Sequence, residues 1–449
     1  MNRIDGRSID AMVDRGLAVL NRTFHASAHG GGWYHRLDNP SPGPSATAAG
    51  VMSFRVHGRV FEHETACLAF LRHRQVTSDD ERLAGGWALN TSFGRPVTEA
   101  TGLVTHFLLR SGTSHTSDAP DVRRAGEWLL ANQNVDGGWG SFGGQESRVW
   151  LTAMALRAIT GIERRSQAVK HAVAWLMNAR DPATGAWGET RNGAATVTHT
   201  SYILTALLET GLAVADTSLG EAVASAYSWL VAVFDPTTIH DDDARIESYN
   251  VVSRTADGSE VTWQSTIWHP GLPFALSALV RAPALKRFDL IASAVRTMAA
   301  TQSAQGTWPG PDSSAAFSVW SVAPFLDALA DVRRHLPLGD GLTLTPLSPY
   351  SAVVQGGPDA SLAAERLITV SRRRRLRQVF RRSWAAGALA LLAAAGGVLY
   401  ATGVLDLRDI GFGLLVPIAL LVLQLALGGS RRQQKNDGRE RFLAGPDHR

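Results

Sequence analysis

Gln133-Asn134-Val135-Asp136-Gly137-Gly138-Trp139 and Gln302-Ser303-Ala304-Gln305-Gly306-Thr307-Trp308 are two copies of one turn. Shorter versions stand at Gly31-Gly32-Trp33, Gly85-Gly86-Trp87 and Gly185-Ala186-Trp187, and a weaker one at Asp257-Gly258 followed by Trp263. Successive tryptophans are 54, 52, 48, 76 and 45 residues apart. A recurring period of roughly 50 residues is the signature of a repeat architecture, here with one insertion in the fifth unit.

The sequence around each turn reads alike. An amphipathic stretch precedes it, as in 122–130, 168–177 and 222–233, and an apolar stretch rich in Ala, Thr and Ser follows it, as in 98–109, 148–159, 198–208, 263–280 and 315–329. Apolar residues recur at helical spacing in both kinds; Leu151, Met154, Ala155 and Ala158 share one face. The second helix of each pair carries little charge on any face, so it is expected to be buried all round, with the first helix covering it. Residues 5–335 are therefore predicted to form an all-α domain, an α/α toroid of about six helical hairpins, in preference to an open solenoid.

The C-terminal end reads differently. Residues 383–405 and 410–430 are uncharged, and each is long enough to cross about 30 Å of hydrocarbon as a helix. They predict a two-helix transmembrane hairpin over 383–430. Residues 336–362, with Pro337, Pro346, Pro349 and Pro358, read as a linker, residues 363–382 as a basic juxtamembrane helix, and residues 431–449 as a basic tail. Arg372, Arg373, Arg374, Arg375, Arg377, Arg381 and Arg382 precede the first span, and Arg431, Arg432 and Lys435 follow the second. The positive-inside rule puts both flanks, both termini and the toroid on the cytoplasmic side of the cell membrane. The run from Arg372 to Arg382 is expected to meet anionic lipid.

Of the 449 residues 45% are hydrophobic and 19% charged, as in a folded chain. The net charge of +4 divides into about +9 after residue 360 and about −5 before it, so the body is not a nucleic-acid binder by charge. One cysteine, Cys67, excludes a disulfide scaffold and any multi-thiolate metal centre.

The pattern Gln-x-x-x-Gly-x-Trp at 133–139 and 302–308 resembles the QW repeat of the terpenoid cyclase and protein prenyltransferase superfamily, squalene–hopene cyclases included. The apolar helices beginning at Trp150 and Ser201 are similar to that family's inner helices. In this motif Gly allows a tight helix exit, Trp packs between hairpins, and Gln bonds loose backbone at helix ends. The resemblance implies a cavity for an isoprenoid or other apolar lipid ligand. Cyclases of this family protonate their substrate with an Asp-x-Asp-Asp motif. The nearest feature is His240-Asp241-Asp242-Asp243, where His240 replaces the first Asp. Asp241, Asp242 and Asp243 are the candidate catalytic acids, since neighbouring carboxylates raise one another's pKa. They also suit Mg²⁺ with a diphosphate, or a solvated acidic loop. His63 and Cys67 share a helix face but make only two of the ligands a zinc ion needs, so no metal site or cofactor is assigned, and Cys67 reads as a small buried hydrophobe.

The inner-helix starts supply the candidate ligand-binding residues: Glu99, Trp150, His199, Tyr202, Trp263, Trp268, His269 and Trp320. Aromatic faces there can stabilise a carbocation, hold a polyprenyl chain, or fill the ring. The expected function is a membrane-anchored, terpenoid-cyclase-like or prenyltransferase-like toroid. A second reading is a non-catalytic toroid that senses a ligand or an unidentified protein partner and acts on the membrane hairpin. A third is a carbohydrate-active barrel using two of Glu99, Glu146, Glu189 and Glu247.

Overall fold

The computed structural model describes residues 3–89, 95–110, 119–237, 245–254, 259–282, 286–308, 310, 317–336, 338, 342–356 and 366–369. The chain divides into two compact units, 1–370 and 371–449. The second, with the expected membrane hairpin and basic tail, lies outside the described residues. Among those described, no helix is long and apolar enough to cross a membrane.

Among the described residues six outer helices alternate with six inner ones. The outer set is α1 (Gly6–Arg22), α3 (Glu64–Arg74), α5 (Pro120–Ala131), α7 (Gln167–Asn178), α10 (Thr217–Val233) and α12 (Phe288–Thr301). The inner set is α2 (Pro44–Val56), α4 (Thr98–Arg110), α6 (Val149–Ile162), α8 (Val197–Thr210), α11 (Gly271–Arg281) and α13 (Ala323–His335). A single turn, α9 (Leu212–Ala215), follows α8. Each inner helix packs against the next, and α13 packs back on α2, so the ring is closed. Local chemistry starts the helices where the sequence allows. Asp5, Ser166, Thr196 and Asp216 cap α1, α7, α8 and α10 with side-chain oxygens on backbone N–H groups, and Pro44 and Pro120 stand in the first turns of α2 and α5.

The glycine–tryptophan turn explains the repeat. Trp33, Trp87, Trp139, Trp187 and Trp308 are wholly buried. Each donates its indole N–H to a carbonyl near the end of the outer helix before it: Leu20, Leu71, Leu129, Leu176 and Met298, at 2.7–2.8 Å. In four units the tryptophan's own N–H is taken by a threonine hydroxyl of the next inner helix: Thr47, Thr101, Thr152 and Thr200. One residue thus satisfies a frayed helix end and pins the following helix to it.

Strands add to the all-α expectation. The fifth-unit insertion forms a hairpin, β4 (Arg245–Arg254) with β5 (Glu260–His269), pairing Val251 with Trp263. The stretch read as helix from Trp263 is thus a strand up to His269, with α11 starting at Gly271; its run of Val, Thr, Trp and Ile suits a pleated strand. Residues within the expected linker form β6 (Leu342–Ser348) and β7 (Ser351–Gly356), and within the expected juxtamembrane helix Arg366–Thr369 is strand β8. With β1 (Ile4–Asp5) they make one sheet in the order β1-β6-β7-β8. Ile4 opposite Leu344 joins the start of the toroid to the segment after its last helix. A small hairpin, β2 (His25–Ser27) with β3 (Gly30–Gly32), completes the described strands.

Candidate functional site

All six inner helices start at one face of the ring and end at the other, so their side chains enclose a central cavity of about 120 Å³. Its two ends differ in chemistry.

The end nearer the inner-helix starts is aromatic. Trp150 packs on Tyr202 with ring centroids 3.8 Å apart, on His269 at 4.0 Å and on Phe274 at 5.6 Å. Trp268, His269 and Trp320 also face the cavity, as does Glu99. The β4–β5 hairpin brings Trp268 and His269 here from unit five. Where β5 starts, Glu260 comes within 4.0 Å of Arg95, which precedes α4 in the opposite unit of the ring. Six of the eight candidate ligand-binding residues therefore line one hollow: Glu99, Trp150, Tyr202, Trp268, His269 and Trp320. His199 does not. It is buried behind the wall, with Nδ1 2.7 Å from the Thr196 hydroxyl and its ring 5.9 Å from that of His269. The Trp263 side chain lies outside the described residues, as do Asp241, Asp242 and Asp243.

The other end is charged, and sequence reading misses it. Glu209 of α8 accepts from Arg157 of α6 at 2.6 Å and pairs with Arg110 of α4. His106 Nε2 stands 3.4 Å from Glu209 and 3.1 Å from Arg157. Arg157 also reaches the Tyr202 hydroxyl at 3.4 Å. Across the ring, Arg281 of α11 grips Asp331 of α13 with two bonds of 2.8 and 2.7 Å, and Arg334 adds a third at 3.3 Å. Burial, with Arg157 beside it, pushes His106 down to about 4, so it is neutral. Burial opposes ionisation of Glu209 too, but Arg157 and His106 outweigh it and hold its carboxyl well below the usual range.

Asp327 sits between the two ends. On α13 its neighbours 321–326 and 328–332 are all buried, yet Asp327 keeps open surface because it faces the cavity. Among the described residues no hydrogen bond or ion pair satisfies it. Burial by the surrounding wall, reinforced by Asp331, raises its pKa to about 7 against the pull of Arg110 and Arg157. A carboxyl that keeps its proton in about half of the molecules at pH 7 thus faces a hollow walled in part by aromatic rings. The signal is present in the sequence as Asp327 and Asp331, one turn apart in a stretch, Ala323 to Val332, that is otherwise apolar.

Other candidates fall away from the cavity. Glu146 and Glu189 pair with Arg148 at 3.4 and 3.0 Å and do not line the hollow. His63 pairs with Glu62 and stacks on Phe24. Cys67 is wholly buried, and burial pushes its thiol pKa up. Among the described residues no group of three or more His, Cys, Asp and Glu is arranged to hold a metal ion.

No family model matches the chain, and no curated protein matches it. Solved structures do. Type II terpene cyclase MstE from Scytonema aligns at 14% identity over 74% of this chain and 100% of its own, with a TM-score of 0.50. A tyrosine-to-phenylalanine variant of that cyclase aligns at 13% identity over 74% and 99%, also with a TM-score of 0.50. An ent-copalyl diphosphate synthase from Streptomyces platensis is more distant, at 19% identity over 72% of this chain and 46% of its own, with a TM-score of 0.40. The chain is similar to the MstE structures in fold, an α/α toroid.

Proposed function

We propose that the toroid takes an isoprenoid or other unsaturated apolar ligand into its central cavity and that Asp327 delivers a proton to it. One observation carries this reading: a carboxyl with no hydrogen-bond or ion-pair partner among the described residues, still about half protonated at pH 7, faces a pocket whose wall includes Trp150, Tyr202, Phe274 and Trp320. An ordinary aspartate has lost its proton at pH 7 and has none to give. Asp327 still holds it in about half of the molecules at pH 7, and once the proton leaves, Arg110 and Arg157 face the new carboxylate, which favours the transition state over the resting state. A proton added to an alkene carbon or an epoxide oxygen leaves positive charge on carbon. The indole and phenol faces are the groups suited to meet that charge. The similarity in fold to a type II terpene cyclase supports this reading. So does the predicted membrane hairpin, which would hold the toroid at the cytoplasmic face of the cell membrane, where apolar ligands reside. Asp241–Asp243 remain proposed as a second acidic group.

The test is incubation with polyprenols, their epoxides and their phosphates, followed by analysis of the extracted products. A cyclised or rearranged product that disappears in Asp327→Asn, while ligand binding persists, supports the reading. Binding without product in the unaltered protein favours the non-catalytic toroid instead. The stacking of Trp150 on Tyr202 and His269, which fills part of the ring, speaks for that second reading.

A further inference from the structure

The β4–β5 ribbon has its base and its tip on opposite sides of the aromatic mouth. At the base Arg245 pairs with His269, just before α11. At the tip Arg254 pairs with Glu260, whose carboxylate reaches Arg95 ahead of α4. Each strand has 10 residues, and at about 3.3 Å per residue the ribbon is about 33 Å long. Neighbouring helices pack about 8–10 Å apart, so opposite members of a six-helix ring are about 16–20 Å apart. The ribbon is therefore long enough to cross the mouth.

Its two ends are held differently. Trp268 and His269 are buried at the base, and the His269 ring packs on Trp150 with centroids 4.0 Å apart. Residues 259–262, at the tip, are exposed. Among the described residues β4 and β5 pack extensively only on each other, and a two-stranded ribbon by itself is marginally stable. Arg95 stands on firmer ground. Its guanidinium lies over the Phe142 ring, 5.3 Å from the centroid. Close by, the Val97 N–H donates to the Trp87 carbonyl at 2.9 Å and the Thr98 N–H to the Ser141 carbonyl at 2.8 Å. The Glu260–Arg95 pair itself is half-exposed and, at 4.0 Å, too long for a hydrogen bond.

Resting on the reading that this cavity is the ligand site, we propose that the β4–β5 ribbon is a strap across the aromatic mouth, anchored by Trp268 and His269 and latched by Glu260 on Arg95, and that its outer half lifts to pass an apolar ligand. An element that packs on little besides itself is where local opening begins, and loops that close over a site commonly set entry and release. The latch suits that task, because a half-exposed ion pair is weak and is screened by salt. Trp268 and His269 stay in the wall, so opening the strap leaves the aromatic surface assembled. The opposite end of the cavity is the less open route, since the pairs of Arg157 with Glu209 and of Arg281 with Asp331 brace it from helix to helix.

Two measurements on the full-length protein test this. The first is amide hydrogen exchange over 245–269. Exchange there should outpace that of α8 at least tenfold, and should quicken about threefold in Glu260→Gln, in Arg95→Gln, and in the unaltered protein when salt rises from about 0.05 to about 0.5 M. The salt series needs no variant, so it stands even where a variant folds poorly. Exchange as slow as in α8, indifferent to salt and to both substitutions, overturns the strap. The second measurement is the rate of farnesol uptake, followed by quenching of tryptophan fluorescence. Arg95→Cys and Glu260→Cys are combined and joined by a bis-maleimide of about 10 Å; Cys67, wholly buried, stays unlabelled. The joined protein should take up and release farnesol at least tenfold more slowly than the same protein capped with a monofunctional maleimide, at nearly equal affinity. Equal rates would show that the ligand enters elsewhere and overturn the gating while sparing the cavity reading. If farnesol does not bind the unaltered protein, the cavity reading falls and the gating with it, whatever the exchange rates show.

Discussion

Gln302 donates through Nε2 to the carbonyl oxygen of Met12 across 2.9 Å, joining residues 290 positions apart. The same amide nitrogen bonds the Gly306 carbonyl at 3.1 Å, and its oxygen accepts from Arg15. This is the seam of the ring, where the end of the last outer helix is hooked to the first. Gln133 makes the same pair of bonds inside the ring, to Gly137 and to Ala168 of the next outer helix, and Gln75 does so to Gly85 and Asp121. Replacing Gln302 with Leu is expected to cost about 1–3 kcal/mol in urea unfolding. Amide exchange should then quicken in α1 and α12, whereas Gln133→Leu should quicken it in α5 and α7. Identical exchange maps for the two variants would deny Gln302 its role at the seam.

Trp308 isolates the contribution of the indole nitrogen. Trp308→Phe keeps a ring able to stack on Phe325, whose centroid is 4.8 Å away, but loses the bond to the Met298 carbonyl. The expected destabilisation is about 1–2 kcal/mol plus the cost of the smaller ring. A loss matching the smaller ring alone, read from urea midpoints, would show that the nitrogen adds nothing.

Gly137 and Gly144 separate backbone strain from crowding. Both have positive φ, +92° and +86°. A Cβ on Gly137 would stand 2.8 Å from the His171 carbonyl of the next outer helix, whereas one on Gly144 meets open space. Gly144→Ala should cost about 1–2 kcal/mol from strain alone. Gly137→Ala should cost clearly more, because the neighbouring helix must also shift. Equal melting temperatures would refute the close approach.

Cys67 provides a probe of opening. Its thiol is buried in α3, and burial raises its pKa, with Glu64 adding to the effect. A thiol-specific reagent at pH 8 should label it only at the rate of unfolding, and rapid labelling of the native protein would contradict its place in the core.

The toroid is legible in the sequence because its signal is repetitive: five tryptophans in the same turn predict five equivalent hydrogen bonds. The aromatic end of the cavity is legible too, since Trp150, Tyr202, Trp268, His269 and Trp320 follow turns or begin inner helices. The β5 strand reads as helix from Trp263 because the sequence Asp257-Gly258 followed by Trp263 mimics the repeat, although the run from Val261 to Ile267 carries strand chemistry. The charged end escapes for a different reason. Arg110, Arg157, Arg281 and Asp327 are charges on separate helices, far apart in sequence, and only closure of the ring brings them together. An acidic run such as Asp241-Asp242-Asp243 is conspicuous in sequence; a lone aspartate among Leu326, Ala328 and Leu329 is not.

Asp327 therefore has to reveal itself through pH. Its pKa is about 7 in the folded protein and near 4 in the unfolded chain. Between those values the folded state binds more protons than the unfolded one, so this residue makes stability fall as pH rises from about 4 to about 7. Asp327→Asn removes that dependence. Relative to the unaltered protein, the variant should gain about 1–2 kcal/mol on going from pH 4.5 to pH 8, a figure reduced for the water that reaches the carboxyl through the cavity. Asp331→Asn should instead lose stability at pH 8 relative to the unaltered protein, because it abandons the bidentate bond from Arg281. Urea unfolding of the three proteins at both pH values decides the matter. If Asp327→Asn tracks the unaltered protein at both, the carboxyl is ionised at neutral pH and cannot be the group that delivers the proton.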